Sequence, residues 1–215
     1  MFIFKDTKLP LPEYSMQVNN IQNLTILKSF TDAVSLSHVY HGSKSVNRVG
    51  FGNTVNSTRF ESGFRPLAGM SITWKKGINS SLSYDTQINH NLDQTGAERK
   101  DFNNTIRADA NFRWSSGLNL SLPFGLMKGK IKNDVMFNIA FSKTDTRNTA
   151  KPPRTTKFLE QNKTSYMSLK PTIRYSFTQH INGNFFYEWK SNYSKLSKKT
   201  STRDFGMNVS ISIEG

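Results

Sequence analysis

Cysteine is absent from the 215-residue chain, which excludes disulfides, thiolate metal sites and a cysteine nucleophile together. Long apolar runs are missing as well. No stretch of about 18 apolar residues occurs, so a helical membrane protein is excluded, and the opening MFIFKDTKLPLPEY meets a charge at Lys5 too early for a signal peptide. Hydrophobic residues of all kinds reach only 35%, with a mean hydropathy of −0.56. Acidic residues are scarce: 15 Asp and Glu stand against 29 Lys and Arg, a net charge of +14. Such an excess points first to nucleic acid or an anionic membrane surface. The basic residues are nevertheless scattered through loops and polar strand faces, as from 143 to 163 and in KLSKKTSTR (195–203). Without a compact stripe or an aromatic-basic RNA signature, nucleic acid is not expected as a partner.

Aromatics are plentiful, with 16 Phe, 7 Tyr and 3 Trp making 12% of the chain. Aromatic and β-branched residues favour strands, and the spacing agrees. In TIRADANFRW (105–114), Ile106, Ala108, Ala110, Phe112 and Trp114 fall on one side, and Arg107, Asp109, Asn111 and Arg113 on the other. The same period of two runs through a probable first strand at EYSMQVN (13–19), then Val34 to Tyr40, Met70 to Trp74, Leu82 to Ile88, Val135 to Phe141, Met167 to Phe177, Phe185 to Tyr193 and Phe205 to Ile213. QNLTILKSF (22–30) reads as a turn of helix or a loop. The fold expected is all-β, an antiparallel meander of about eight or nine strands.

Short and long connections alternate. KKG (75–77) and QHING (179–183) are tight turns, whereas 91–101, 147–165 and 195–203 are long and polar. Transmembrane β-barrels show this asymmetry, with short periplasmic turns and longer external loops. Counting back from a last strand that ends in the periplasm puts both tight turns inside and all three long loops outside. The segments 20–32 and 115–130 also fall on the periplasmic side and need more than a turn. Trp74, Trp114, Tyr175 and Tyr187 then stand near the periplasmic ends of their strands on the apolar face, as a lipid-interface girdle requires. Asp85, Arg107, Asp109, Arg113, Asp134, Lys170, Arg174, Glu188 and Lys190 line the opposite, wet face. With so thin an apolar stripe, lipid outside and water inside is preferred to a soluble sandwich.

At RPLAGMSITWKKGINSSLSY and LPFGLMKGKIKNDVMFNIAFS, with LPLPEYSMQVNNIQNL upstream and the ending RDFGMNVSISIEG, the chain resembles the C-terminal barrel region of the SprA/Sov family. That family forms the outer-membrane translocon of type IX secretion and gliding motility. The resemblance runs over nearly all of this chain but only over the tail of the family's very long protein. It implies a large barrel in the cell outer membrane whose lumen passes secreted protein cargo, with a PorV-type partner and a plug subunit closing the pore at different stages. On that reading 1–31 hold the first strand and a periplasmic connection, 32–215 the strand meander, and any export signal lies upstream. One departure is the ending Ile213-Glu214-Gly215, where many outer-membrane barrels finish on an aromatic residue.

No residue pattern asks for a metal, a cofactor or a catalytic centre. His38 and His41, three apart on a strand, point to opposite faces. His90 and His180 lie at strand ends with no partner pattern, and GLMKGK (125–130) lacks the phosphate-loop spacing. Asp85, Asp109, Asp134 and Glu188 have no nucleophile and base beside them, so cross-strand ion pairs with Arg107, Arg113 or Arg174 are the expected use. Two alternatives remain open at this point: an independent eight-stranded outer-membrane barrel closed by residues 33–214, and a soluble basic β-sheet binding module.

Overall fold

The computed structural model describes residues 12–24, 26–50, 54–114, 118–121, 128–131, 134–177 and 181–212. Nine strands form one antiparallel sheet: β1 (Tyr14–Val18), β2 (Thr31–Val49), β3 (Thr54–Trp74), β4 (Ile78–Asp93), β5 (Glu98–Trp114), β8 (Val135–Lys151), β9 (Leu159–Ser176), β10 (Ile181–Ser194) and β11 (Lys198–Ile211), side by side in that order. Between β5 and β8 two short strands, β6 (Leu118–Ser121) and β7 (Lys128–Ile131), make a separate hairpin. A single 3-10 turn, Ile21–Asn23, and two further turns before Thr31 carry the chain from β1 to β2. Helical periodicity is weak everywhere in the sequence, so the ladder between neighbours satisfies the backbone.

The sheet is one layer thick. Among the described residues no strand packs face to face on another, and the buried hydrophobic side chains are four: Val34, Tyr40, Phe64 and Val135. Large apolar side chains such as Leu82, Ile139, Phe205 and Ile211 are instead exposed at 46%, 50%, 81% and 66%. They share a face, because ladder partners in a sheet point the same way. One row runs Val18, Leu36, Met70, Leu82, Ala108, Phe141, Leu169, Trp189 and Arg203. Another runs Trp74, Ile78, Phe112, Phe137, Ile173, Phe185 and Met207.

The ends of the strands sort as the alternation of turns predicts. The strand ends joined in sequence meet at the lower end of the sheet for β1–β2, β3–β4, β5–β8 and β9–β10, and at the upper end for β2–β3, β4–β5, β8–β9 and β10–β11. Of QHING, residues 179 and 180 lie outside the described residues, but β9 and β10 join at the lower end beside KKG. Of the lower segments 20–32 and 115–130, the described residues hold more than a turn: the 3-10 turn at Ile21–Asn23 in the first, and in the second β6 and the start of its partner β7. The three long polar loops, however, are far shorter than their sequences predict. Their polar residues alternate without an apolar side, so they read as loop, yet they continue the ladder: Asn91 pairs with Arg99, Arg147 with Lys163, and Tyr193 with Lys199. Strands of 14 to 21 residues result, against the roughly 9–11 that cross a bilayer.

Two local irregularities have visible causes. Pro66 sits in the β3 bulge between Phe64 and Ala68, a place where a missing N–H is tolerated. In β9, Pro171 has no N–H to give, and the ladder to β10 skips from the Phe186–Thr172 pair to the Trp189–Leu169 pair. Gly63 allows β3 to lie close to β4: a Cβ there would overlap the Thr86 carbonyl and stand 2.8 Å from Gln87 Cα. Gly63→Ala is therefore expected to lower stability by about 1–3 kcal/mol. Denaturant unfolding in detergent checks this, with Ser62→Ala on the other face expected to stay within about 0.5 kcal/mol.

Candidate functional site

The nine polar residues singled out from sequence all lie on the face opposite the apolar rows, since Asp85, Arg107, Asp109, Arg113, Lys170, Arg174, Glu188 and Lys190 alternate with apolar-row residues and Asp134 immediately precedes Val135. The structure brings most of them together in pairs. Arg107 on β5 reaches Asp85 on β4, and Arg113 reaches Asp134 at the foot of β8. Lys190 lies 3.1 Å from Glu188 and 3.6 Å from Asp204, and Lys170 lies 3.9 Å from Glu188. Glu61, overlooked in the sequence, gathers Arg59 at 3.6 Å, Arg65 at 3.3 Å and the Gln87 amide. Neighbouring strands thus neutralise one another's charge across this face. Asp109 and Arg174, among the described residues, make no ion pair. Asp109 lines a shallow concavity of about 490 Å³ under the β1–β2 connection, with Asn20, Gln22, Asn79 and Asn111. Gln22 fixes that connection by accepting the Val34 N–H at 3.0 Å.

The four aromatics divide. Trp74 ends β3, Trp114 ends β5 and Tyr175 is next to the end of β9, all at the lower border of the apolar rows. Trp74 donates its Nε1–H to Ser80 Oγ at 2.7 Å, while Trp114 meets Phe112 edge-on at 5.8 Å and Tyr175 meets Phe177 at 4.7 Å. Tyr187 is a correction: it sits halfway along β10, opposite Phe205. The apolar stripe of β10 begins lower than its aromatics indicate, at Ile181 and Gly183, which raises Tyr187 to mid-band.

The histidines also need one correction. His38, on the apolar side, has both ring nitrogens engaged, Nδ1 with the Leu67 carbonyl at 2.6 Å and Nε2 with Tyr14 Oη at 3.2 Å. His41 pairs with Glu13. His90, expected to lack a partner, meets Glu98 Oε2 at 2.8 Å, and Lys151 holds the other oxygen of that carboxylate. Glu98 comes from the next strand, eight residues on, so only the hairpin register shows the pair. His180, residues 125–127 of GLMKGK and the ending Ile213-Glu214-Gly215 lie outside the described residues. Among the described residues no three His, Asp or Glu gather as a metal site. No model of a known protein family matches the chain, and no curated protein matches it.

The hydrogen bond from Lys151, and after it that from His90, hold the Glu98 carboxyl below the usual carboxylate range. A folded-state value below the unfolded one gives stability that is complete above the unfolded value and lost as pH falls through the folded one. Glu98→Gln should accordingly flatten the acid side of the stability curve below about pH 5, read by unfolding midpoints, and change little at neutral pH beyond a constant offset. On the polar face, a double-mutant cycle of Arg107→Ala and Asp85→Asn should return a coupling of about 0.2–1 kcal/mol that shrinks with added salt, as expected of a half-exposed pair.

Proposed function

We propose that the sheet is wall of a transmembrane β-barrel in an outer membrane, with its apolar rows on lipid and its paired polar face on a water-filled lumen. The observation that carries this reading is the way the apolar band slides against the hydrogen-bond register. The row through Leu36 lies near the bottom of the apolar stripe on β2, reaches the top of the stripe at Phe141 on β8, and has left it at Arg203 on β11, where Phe205, Met207, Val209 and Ile211 all lie below. From β2 to β11 the centre of the band drifts by about six residues over seven interstrand steps. At about 3.4 Å per residue and about 4.8 Å between strands, a level band then needs strands tilted by roughly 30°, next to the 35–45° of membrane barrels. A flat slab of lipid imposes such a drift on tilted strands.

The height of the band points the same way. On β5 it runs from Ile106 to Trp114, eight residue steps or about 27 Å along the strand, which tilts to roughly 23 Å against the ~25 Å apolar belt of outer-membrane barrels. A soluble module would have to cover these rows with a second layer, and no described element does so.

We read the wall as belonging to a barrel larger than this sheet. β1 occupies the outer edge of β2 from Leu36 to Tyr40, the edge that an eight-stranded ring of β2 to β11 needs for closure. By its resemblance to the SprA/Sov translocon the function proposed is passive protein export: secreted cargo moves along the polar face, and PorV-type and plug subunits close the path. Charge neutralised strand by strand suits a channel wall that must let folded protein slide without binding it.

Single cysteines introduced in membranes test the two faces without background, because the chain has none of its own. A water-soluble maleimide should label positions 107, 109 and 111 and miss 106, 108 and 110. The reverse pattern would make the apolar side the wet one, and uniform labelling would mean no membrane wall.

A further inference from the structure

Among the described residues the polar face carries little of the excess positive charge: Arg59, Arg65, Arg107, Arg113, Lys170 and Lys190 each lie against an acid, and the two unpaired groups singled out there, Arg174 and Asp109, are of opposite sign. Much of the excess stands on the other face, above the apolar band. Arg147 shares a ladder row with Phe102 and Lys163, and Arg203 with Trp189. The acids of that region are already engaged: Glu98 by Lys151 and His90, Asp145 by Lys143 at 3.4 Å, and Glu160 by Lys195 at 3.6 Å. The lower border of the same face carries Trp74, Trp114 and Tyr175 and, among the described residues of the nine strands, no lysine or arginine. The two borders therefore differ in kind.

Arg147 and Lys163 are the centre of the upper collar. They are direct cross-strand partners, both are exposed, and neither has an ion pair among the described residues. Like charges placed opposite one another destabilise a ladder, unless an anion sits between them. The Arg147 guanidinium is held over the Phe102 ring, 4.9 Å from its centroid, which fixes it in place as a planar donor. Height narrows the anion. A glycerophospholipid headgroup reaches only about 5–7 Å beyond the hydrocarbon, the level of Lys143, two residues above Phe141. Arg147 stands six residues above Phe141, about 20 Å along the strand and roughly 15–18 Å in height once the strand is tilted.

We propose that Arg147 and Lys163 bind saccharide-borne phosphates of an anionic glycolipid in the leaflet at the upper end of the sheet, while Lys143 below them holds Asp145, the one acid between the two rows, at 3.4 Å. The proposal rests on the apolar rows facing lipid. Guanidinium and ammonium groups share one phosphate by charge-assisted hydrogen bonds, which removes the repulsion between them, and the sugar raises that phosphate to their height. The aromatic lower border faces a leaflet without such a headgroup.

The test uses the full-length protein extracted in mild detergent and incubated with a phosphorylated lipopolysaccharide-type glycolipid, its enzymatically dephosphorylated form, phosphatidylglycerol, or inorganic phosphate. Bound lipid is read by native mass spectrometry. The native protein should retain the phosphorylated glycolipid about tenfold better than the other two lipids, and Arg147→Ala with Lys163→Ala should abolish that preference. Arg174→Ala, on the opposite face, should keep it. Equal retention by the double variant, equal retention of phosphatidylglycerol, or displacement of the glycolipid by millimolar phosphate would overturn the proposal while leaving the membrane wall standing. Uniform maleimide labelling at 106–111 would remove the wall itself, and the collar with it.

Discussion

Antiparallel ladders between neighbouring strands hold the nine strands side by side, and that pairing leaves a sheet with two faces and no interior. The consequence governs all else in the molecule. A residue on such a sheet has one of two environments, set by its parity along the strand, so a single register fixes the surroundings of a whole row at once. One set of rows is apolar and uncovered, the other polar and internally paired. Large exposed side chains such as Ile139, Phe205 and Ile211 would each leave water at a gain of about 1.5–3 kcal/mol, and the described chain supplies nothing to cover them. An apolar solvent in contact with one face meets that demand without a second layer.

Such a solvent also accounts for residues that would be poor in a protein core. Ala108 and Ala110 sit in the middle of the band between Leu82 and Ser80 on one side and Phe141 and Ile139 on the other. Packed against a second sheet they would leave voids, whereas acyl chains conform to a shallow surface. Pro171, which interrupts the β9–β10 ladder, lies in the same band. His38 is tolerated on this face because the Leu67 carbonyl and the Tyr14 hydroxyl occupy both of its ring nitrogens.

The period of two was legible wherever apolar and polar residues alternate, as in TIRADANFRW, whose two sides fall on the two faces as read. It was not legible where both sides are polar. Asn91 to Asp93, Glu98 to Asp101 and Lys198 to Thr202 belong to strands, yet only the partner strand reveals it, so the upper hairpins read as loops. Register was hidden for the same reason: the His90–Glu98–Lys151 group joins β4, β5 and β8 through side chains that no local spacing links. The misplacement of Tyr187 came from treating an aromatic residue as a marker of the strand end, when Ile181 and Gly183 extend the stripe below it. Asp85 with Arg107 and Asp134 with Arg113 could be anticipated as cross-strand partners, whereas Glu61 was missed because its strand, up to Phe64, lacks an unbroken apolar alternation.

Strand parity bears on how such a wall closes. β1 runs downward, from Tyr14 opposite Tyr40 to Val18 opposite Leu36, and with nine sequential antiparallel strands β11 runs downward too, from Lys198 opposite Ser194 to Ile211 opposite Ile181. Joining these two edges directly would make a parallel seam in an otherwise antiparallel ring, where single-chain bacterial barrels keep an even strand number. An antiparallel ring needs an odd number of further strands between β11 and β1. The edges agree with that demand: Phe205, Met207 and Ile211 on β11 and Met16 and Val18 on β1 present apolar side chains beside unpaired main-chain groups. Exposed edges of this composition invite strand addition, so on the proposed reading the same rows that meet lipid continue into the neighbouring wall.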